Sequence, residues 1–405
     1  MDVALRLLRT GMLTVAWIMV VPCLAILLGA IVPIVPWFRI YAVDILPNHT
    51  SWLFLWSIAG LLIGLLANQM ERSRIALALV ATAVVAILVT AGVMLHLLYV
   101  AQSNGARINV VKALDLREFS SGAKADETRI YSRTPGEDLS LDIYRPGPRE
   151  AGGLSPVLIA VHGGGFYQGS RKFGAANLRW YADHGWTVIS IDYRLARDDR
   201  PTWDLAARDV ECALAWTATH AGELRIDLNR VTLSGGSAGG TLALTAGYLA
   251  NAGRVRSDCG PSVPRIAAII VKAPLVDFTG SWNLGGELGD EQRSYLTRYI
   301  GGSPKQYPDR YAALDLGRLR FPTNPPTLIT GGAQDPILPA AAATEFVRKA
   351  TAAGLPMRQI LFPYSGHEFN TTYDSITNQA LRQINAQFIV ENRAGPNIPG
   401  LTFVD

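Results

Sequence analysis

Three cysteines in 405 residues (Cys23, Cys212, Cys259) are too few for a disulfide framework, and no C-x-x-C pair marks a zinc site. We expect Cys212 and Cys259 to be unpaired thiols; a single bridge between them is the alternative for a domain outside the cytoplasm. Basic character is also missing. A net charge of +4 is small for this length, with no long basic run, which argues against a nucleic-acid partner. Charge of either sign is scarce at one end: the first hundred residues carry eight charged side chains, against sixty-two in the remaining 305. There is no internal repeat and no low-complexity tract. The chain reads as two materials joined end to end.

The charge-poor part suits a bilayer. A hydrocarbon core of about 30 Å needs about 20 apolar helical residues, and three uncharged stretches offer spans at about 11–35, 52–68 and 75–100. Pro22 and Pro33 should kink or shorten the first. Arg6 and Arg9 before an apolar run would also fit a signal peptide, but two further uncharged stretches favour a multi-pass anchor over residues 1–104. The segment R-I-Y-A-V-D-I-L-P-N-H-T-S between spans one and two reads as a loop, with Arg39 its only arginine or lysine. Arg6, Arg9, Arg72 and Arg74 lie at the other ends, and the positive-inside bias keeps those ends cytoplasmic. Everything after the third span is then expected outside the cytoplasm, joined by a linker at 105–126. His96 near the end of span three reads as a packed or interfacial side chain rather than a ligand.

From about residue 127 the pattern changes to short strand-like runs, several of them β-rich and near-continuously apolar, as expected of strands covered on both faces. They are T-R-I-Y-S, L-S-L-D-I-Y, V-L-I-A-V, T-V-I-S-I, R-V-T-L-S, A-A-I-I-V, T-L-I-T and R-Q-I-L-F. Helical patterns at Thr202–Ala221, Ala238–Ala252, Ala340–Ala353 and Tyr373–Asn392 alternate with them, which implies an α/β domain with a mostly parallel sheet. The stretch 277–326 interrupts the alternation and carries Trp282, Tyr295, Tyr299, Tyr307 and Tyr311. A segment of that length is either a lid-like binding element or an excursion packing its own aromatics.

Four local patterns carry chemistry. The fifth strand runs into S-G-G-S-A-G-G and then a helix, and G-x-S-x-G at a strand-to-helix turn is a nucleophile elbow that would expose Ser237. A serine hydroxyl needs a base, and in this arrangement the order along the chain is serine, acid, histidine. His367 is the only histidine after Ser237, and it follows the last strand. Nine acidic residues lie between them; Asp335, just past the penultimate strand, is the preferred acid and Asp277 the second choice. H-G-G-G follows the third strand. Gly163 and Gly164, with the amide of Ala238, could present bare N–H groups to an oxyanion. His162 precedes the serine and reads as a support for the glycine loop.

These residues resemble the α/β-hydrolase superfamily, in its carboxylesterase branch akin to hormone-sensitive lipase and bacterial acetyl esterases. The resemblance rests on His162-Gly163-Gly164-Gly165-Phe166, Asp192-Tyr193-Arg194-Leu195-Ala196, Gly235-Gly236-Ser237-Ala238-Gly239-Gly240, Asp335 and His367. It covers about residues 127–395, leaving a tail at 396–405. It implies an α/β-hydrolase fold behind a three-helix transmembrane region, and a serine esterase or lipase acting through an acyl-enzyme without metal or organic cofactor. The implied catalytic residues are Ser237, Asp335 and His367, with Gly163, Gly164 and Ala238 as oxyanion hole. The implied partners are a small-molecule or lipid ester and the membrane. Gly236 departs from the branch, which often has an acidic residue there. So does Ile337-Leu338-Pro339, where a polar run is common, and the branch's N-terminal cap helices are replaced by the anchor. An amidase or peptidase, an envelope-glycan deacylase and a catalytically silent binding module use the same scaffold. Oligomeric state is not legible.

Overall fold

The computed structural model describes residues 3–32, 36–117, 122–147, 153–255, 259–260, 262–398 and 402–403. Three long apolar helices come first: α1 (Val3–Ile31), α2 (Pro36–Met70) and α3 (Arg74–Ser103). Among the described residues these are the helices long and apolar enough to cross a membrane. The α1 helix runs unbroken through Pro22. Pro33 lies outside the described residues. The break falls in α2 instead, where Pro47 precedes a non-helical His49 (φ −128°). The segment read as a loop between the first two spans is therefore helical, and Val43, Asp44, Pro47 and Asn48 within it bond to residues 366–377. Arg9 donates to the carbonyls of Ala67 (3.2 Å) and Glu71 (2.9 Å) and to Ser73 Oγ (2.7 Å), pinning the start of α1 to the turn between α2 and α3.

The elements that follow are β1 (Glu127–Thr134), β2 (Glu137–Tyr144), β3 (Ser155–Val161), α4 (Ala175–Asp183), β4 (Thr187–Ile191), α5 (Ala206–Thr219), α6 (Ala221–Leu224), β5 (Ile226–Gly236) and α7 (Ala238–Asn251). Then come β6 (Ile266–Lys272), α8 (Phe278–Trp282), α9 (Gly286–Ile300), α10 (Pro308–Leu314), β7 (Thr327–Gly332), α11 (Ala340–Ala352), β8 (Met357–Phe362) and α12 (Ile376–Glu391). The eight strands form one sheet in the order β1-β2-β4-β3-β5-β6-β7-β8. The β1–β2 and β2–β4 pairs are antiparallel and the rest parallel.

Alternation along the central strands builds two cores. Val157, Ile159 and Val161 of β3 face a core shared with α5 and α7, while Leu158 and Ala160 face one shared with α4 and α12. This is the layered arrangement expected of a parallel sheet covered on both faces. Residues 277–326 hold α8, α9 and α10.

The segment after α3 does not hang free. Gln379, Gln383 and Gln387, one helical turn apart on α12, donate to the carbonyls of Asn109 (3.0 Å), Arg107 (2.9 Å) and Gly105 (2.8 Å). Gln379 and Gln383 also accept from the amides of Asn109 and Arg107. Cys212 and Cys259 are joined by a disulfide, with Cα atoms 5.0 Å apart. This overturns the expectation of unpaired thiols: α5 and the segment after α7 bring together two cysteines 47 positions apart. Cys23 is a free, buried thiol in α1.

Candidate active site

Parallel strands place their carboxyl ends along one edge of the sheet, where ligands collect in such folds. Four such ends converge here: β3 before the glycine loop, β5 before Ser237, β7 before Asp335 and β8 before His367. Ser237 caps α7 in a strained conformation (φ 51°, ψ −123°), which for a non-glycine residue costs about 1–3 kcal/mol and clusters at functional sites. Its own amide donates to the Lys272 carbonyl at 2.8 Å. The next residue, Ala238, begins the helix and lines the cavity beside Ser237.

That cavity has a volume of about 210 Å³ and is bordered by Gly163, Gly164, Ser237, Ala238 and His367. Gly164 sits at φ +112°, and a Cβ there would run into the Gln168 carbonyl. A Cβ on Gly163 would come within 3.0 Å of the Gly236 oxygen. The glycine run therefore serves both a left-handed turn and a close approach to the elbow. His162 lies beneath it: Nδ1 is 2.7 Å from the Gly163 oxygen, and the ring stacks on Tyr193 at 4.3 Å. Burial holds the His162 imidazole below its ordinary value.

His367 is buried, with Nδ1 2.7 Å from Asp335 Oδ2. The other carboxylate oxygen, Oδ1, accepts from the amides of Ile337 (2.9 Å) and Leu338 (2.8 Å). The apolar residues after Asp335 thus orient the acid through their backbone while their side chains wall the cavity. Burial alone would push the His367 imidazole down. The charge of Asp335 and the hydrogen bond to it, helped by Glu368, outweigh burial, and the net shift is upward. Asp277, the second-choice acid, instead caps α8 by accepting from the Gly280 amide at 2.7 Å. The serine and the imidazole face one cavity, with no hydrogen bond between them among the described residues; such contacts often tighten only once substrate is bound.

Residues 277–326 supply Gln292, Tyr295 and Leu296 to the cavity wall. Tyr299 from the same segment stacks on Phe166 of the glycine loop at 3.8 Å. The segment is both a wall and a packed layer.

The chain matches the family described as BD-FAE over residues 141–350. It belongs to the BD-FAE family. This BD-FAE chain is 30% identical over 258 residues to Esterase LipC of Mycobacterium tuberculosis (strain ATCC 25618 / H37Rv), covering 60% of this chain and 59% of LipC. It is 27% identical over 239 residues to the Probable carboxylic ester hydrolase LipM of the same organism, covering 58% and 54%. It thus spans little more than half the length of these relatives. Native esterase Est2 of the Planctomycetes species Thermogutta terrifontis shares its α/β-hydrolase fold. That likeness has a TM-score of 0.55 at 23% identity, over 69% of this chain and 96% of Est2.

Sequence reasoning missed several supporting residues of this BD-FAE site. Arg171 binds Asp192 through Nη1 (2.6 Å) and its amide (2.8 Å), which ties down the glycine loop. Arg194 pairs with buried Asp209 (2.5 Å), and the Ala196 amide donates to the Phe166 carbonyl at 2.8 Å. The D-Y-R-L-A run is therefore a brace behind H-G-G-G, a role its sequence position alone does not reveal. Lys272 Nζ donates to the His367 carbonyl (3.0 Å) and Asn370 Oδ1 (3.1 Å) and pairs with Glu368 (3.4 Å). Gly236, which departs from the related branch, stands beside that lysine: a Cβ there would be 3.5 Å from Lys272 Cε.

Proposed function

We propose that the protein is a membrane-anchored serine carboxylic-ester hydrolase with Ser237 as nucleophile, His367 as base and Asp335 as orienting acid. The observation that carries this reading is the buried His367–Asp335 pair facing the cavity that also holds the Ser237 elbow and the glycine loop. The esterase names of LipC and LipM point the same way.

In this reading His367 Nε2 takes the Ser237 proton as Oγ bonds to the ester carbonyl carbon. The carbonyl π pair moves to oxygen, and the resulting oxyanion lies against the amides of Gly163, Gly164 and Ala238. Losing one such donor costs about 2.7–4 kcal/mol. The imidazolium, steadied by Asp335, returns the proton to the leaving alkoxide, and an alcohol departs from the acyl-enzyme. Water, deprotonated by the same imidazole, then releases the acid and restores Ser237.

A cavity of about 210 Å³ falls below the ~300–1,000 Å³ of sites that enclose drug-sized ligands. The reading therefore favours a short acyl group within it. Two features support an extracytoplasmic domain: the arginines at positions 6, 9, 72 and 74 and the Cys212–Cys259 disulfide, since disulfides persist in oxidising compartments. Labelling by a fluorophosphonate probe tests the chemistry. Wild type should label and hydrolyse short-chain p-nitrophenyl esters, while Ser237→Ala should do neither and His367→Ala should lose turnover. Equal labelling of wild type and Ser237→Ala would sink the assignment.

A further inference from the structure

The loop that carries His367 is gripped from outside the hydrolase domain. Pro47 lacks an N–H, so the Val43 carbonyl, its partner four residues back in α2, loses its normal intrahelical donor. The Gly366 amide fills that vacancy, donating to the Val43 oxygen at 2.9 Å. The next residue, Asp44, accepts from the Glu368 amide through Oδ1 at 2.9 Å. The amides on either side of His367 are thus both held by α2. Asn48 completes the grip: its Nδ2 donates to the Glu368 carbonyl (2.6 Å) and its Oδ1 accepts from the Thr372 amide (2.9 Å). The fit leaves no room for a side chain at 366, where a Cβ would strike Asp44 Oδ1 and Val43 Cγ2. From α3, His96 Nδ1 lies 3.2 Å from the Tyr364 hydroxyl.

The length of α2 allows this role. Its 35 residues span roughly 52 Å at 1.5 Å each, far more than a hydrocarbon core of about 30 Å. The part after His49 is long enough to cross alone, which frees Pro36–Asn48 to stand beyond the hydrocarbon against the catalytic loop.

We propose that Asp44 and the Pro47 break make α2 a positioning element for the catalytic histidine, so that the anchor completes the active site as well as holding it at the membrane. This rests on the hydrolase reading of His367. Docking of α2 fixes the backbone at 366 and 368 and, through it, the direction of the imidazole.

The test uses the full-length protein in detergent, comparing wild type with Pro47→Ala, Asp44→Ala and Asp44→Asn. Pro47→Ala restores the missing donor to Val43 and raises helix propensity, so a merely structural role for Pro47 predicts no loss of stability and unchanged turnover. The positioning role instead predicts a fall in kcat on the order of 10- to 100-fold with KM within about twofold. It also predicts faster amide exchange in the peptide covering residues 363–372, with the β-strand peptides unchanged. Asp44→Ala should behave likewise, and Asp44→Asn, which keeps an oxygen acceptor for the Glu368 amide, should recover most of the loss. Unchanged kcat in both Pro47→Ala and Asp44→Ala overturns the proposal, as does unchanged exchange in that peptide. A wild type inert to esters and fluorophosphonate, with the loop still loosened in the variants, would refute the hydrolase reading and leave the grip on the loop standing.

Discussion

Replacing Asp335 by asparagine separates charge from shape at the candidate site. Asp335 accepts three hydrogen bonds: Oδ1 takes the Ile337 and Leu338 amides, and Oδ2 takes His367 Nδ1 at 2.7 Å. An asparagine has one oxygen acceptor. Keeping both backbone donors satisfied points its NH₂ group at His367 Nδ1, which must then be the unprotonated nitrogen. The ring proton moves to Nε2, the atom meant to receive the proton of Ser237. The base is in the wrong tautomer, and the expected loss in kcat is about 10⁴-fold, or about 5.5 kcal/mol at 1.36 kcal/mol per decade. KM should change little, because the acyl cavity is untouched. The pH profile supplies a second readout. In wild type the Asp335 charge and hydrogen bond raise the His367 pKa against the opposing effect of burial, so activity should rise with pH about a midpoint above ~6.5. In the variant burial acts with less opposition, and the midpoint of the residual activity should fall. Stability follows the same sign. A raised histidine pKa contributes stability that is fully present below the unfolded value of ~6.5 and is lost as pH rises through the folded value. The variant's stability deficit should therefore be larger at about pH 6 than at about pH 9. The assay is kcat and KM for a short p-nitrophenyl ester across pH, with thermal unfolding alongside. Turnover within about tenfold of wild type, or an unmoved midpoint, would refute the assignment of Asp335.

Two further predictions concern the disulfide and the topology. Removing the Cys212–Cys259 bridge by paired alanine substitution opens a loop closed across 47 positions, for which loop entropy predicts a loss of about 4 kcal/mol; a melting temperature unchanged between the oxidised wild type and the double variant would show that the bridge contributes nothing. A reporter active only outside the cytoplasm should give signal when fused after residue 105 and none when fused near Glu71, and the reverse pattern would place the domain inside.

How much of this was legible in the sequence depends on whether a signal was local. The strands could be read because several are short, near-continuous apolar runs bounded by turn residues, and the site residues because each follows such a run. Asp277 also follows a strand, so Asp335 could be preferred only for its place just past the penultimate one; the structure brings Asp335 to His367 while Asp277 caps a helix. The strand order and the antiparallel edge were not legible, since pairing depends on partners distant in the chain. The α9 helix was missed because its fifteen residues include Gly286 and Gly289 and few apolar positions. Its amphipathic face is meaningful only against the glycine loop it covers.

The anchor was misread in the opposite direction, by trusting local signals too far. Asp44, Pro47, Asn48 and His49 in thirteen residues carry the composition of a loop, yet Asp44 and Asn48 are polar because they meet the backbone of a loop more than 300 positions away. The glutamines at 379, 383 and 387 look like a solvated helix face, but they bind the chain that leaves α3. In both places polar side chains satisfy backbone groups that would otherwise be buried without partners, an accounting that cannot be done until both partners are known. It follows that the three apolar helices and the α/β domain are linked by more than their covalent connection. A substitution in α2 can therefore reach the backbone on either side of His367 without touching the sheet that carries it.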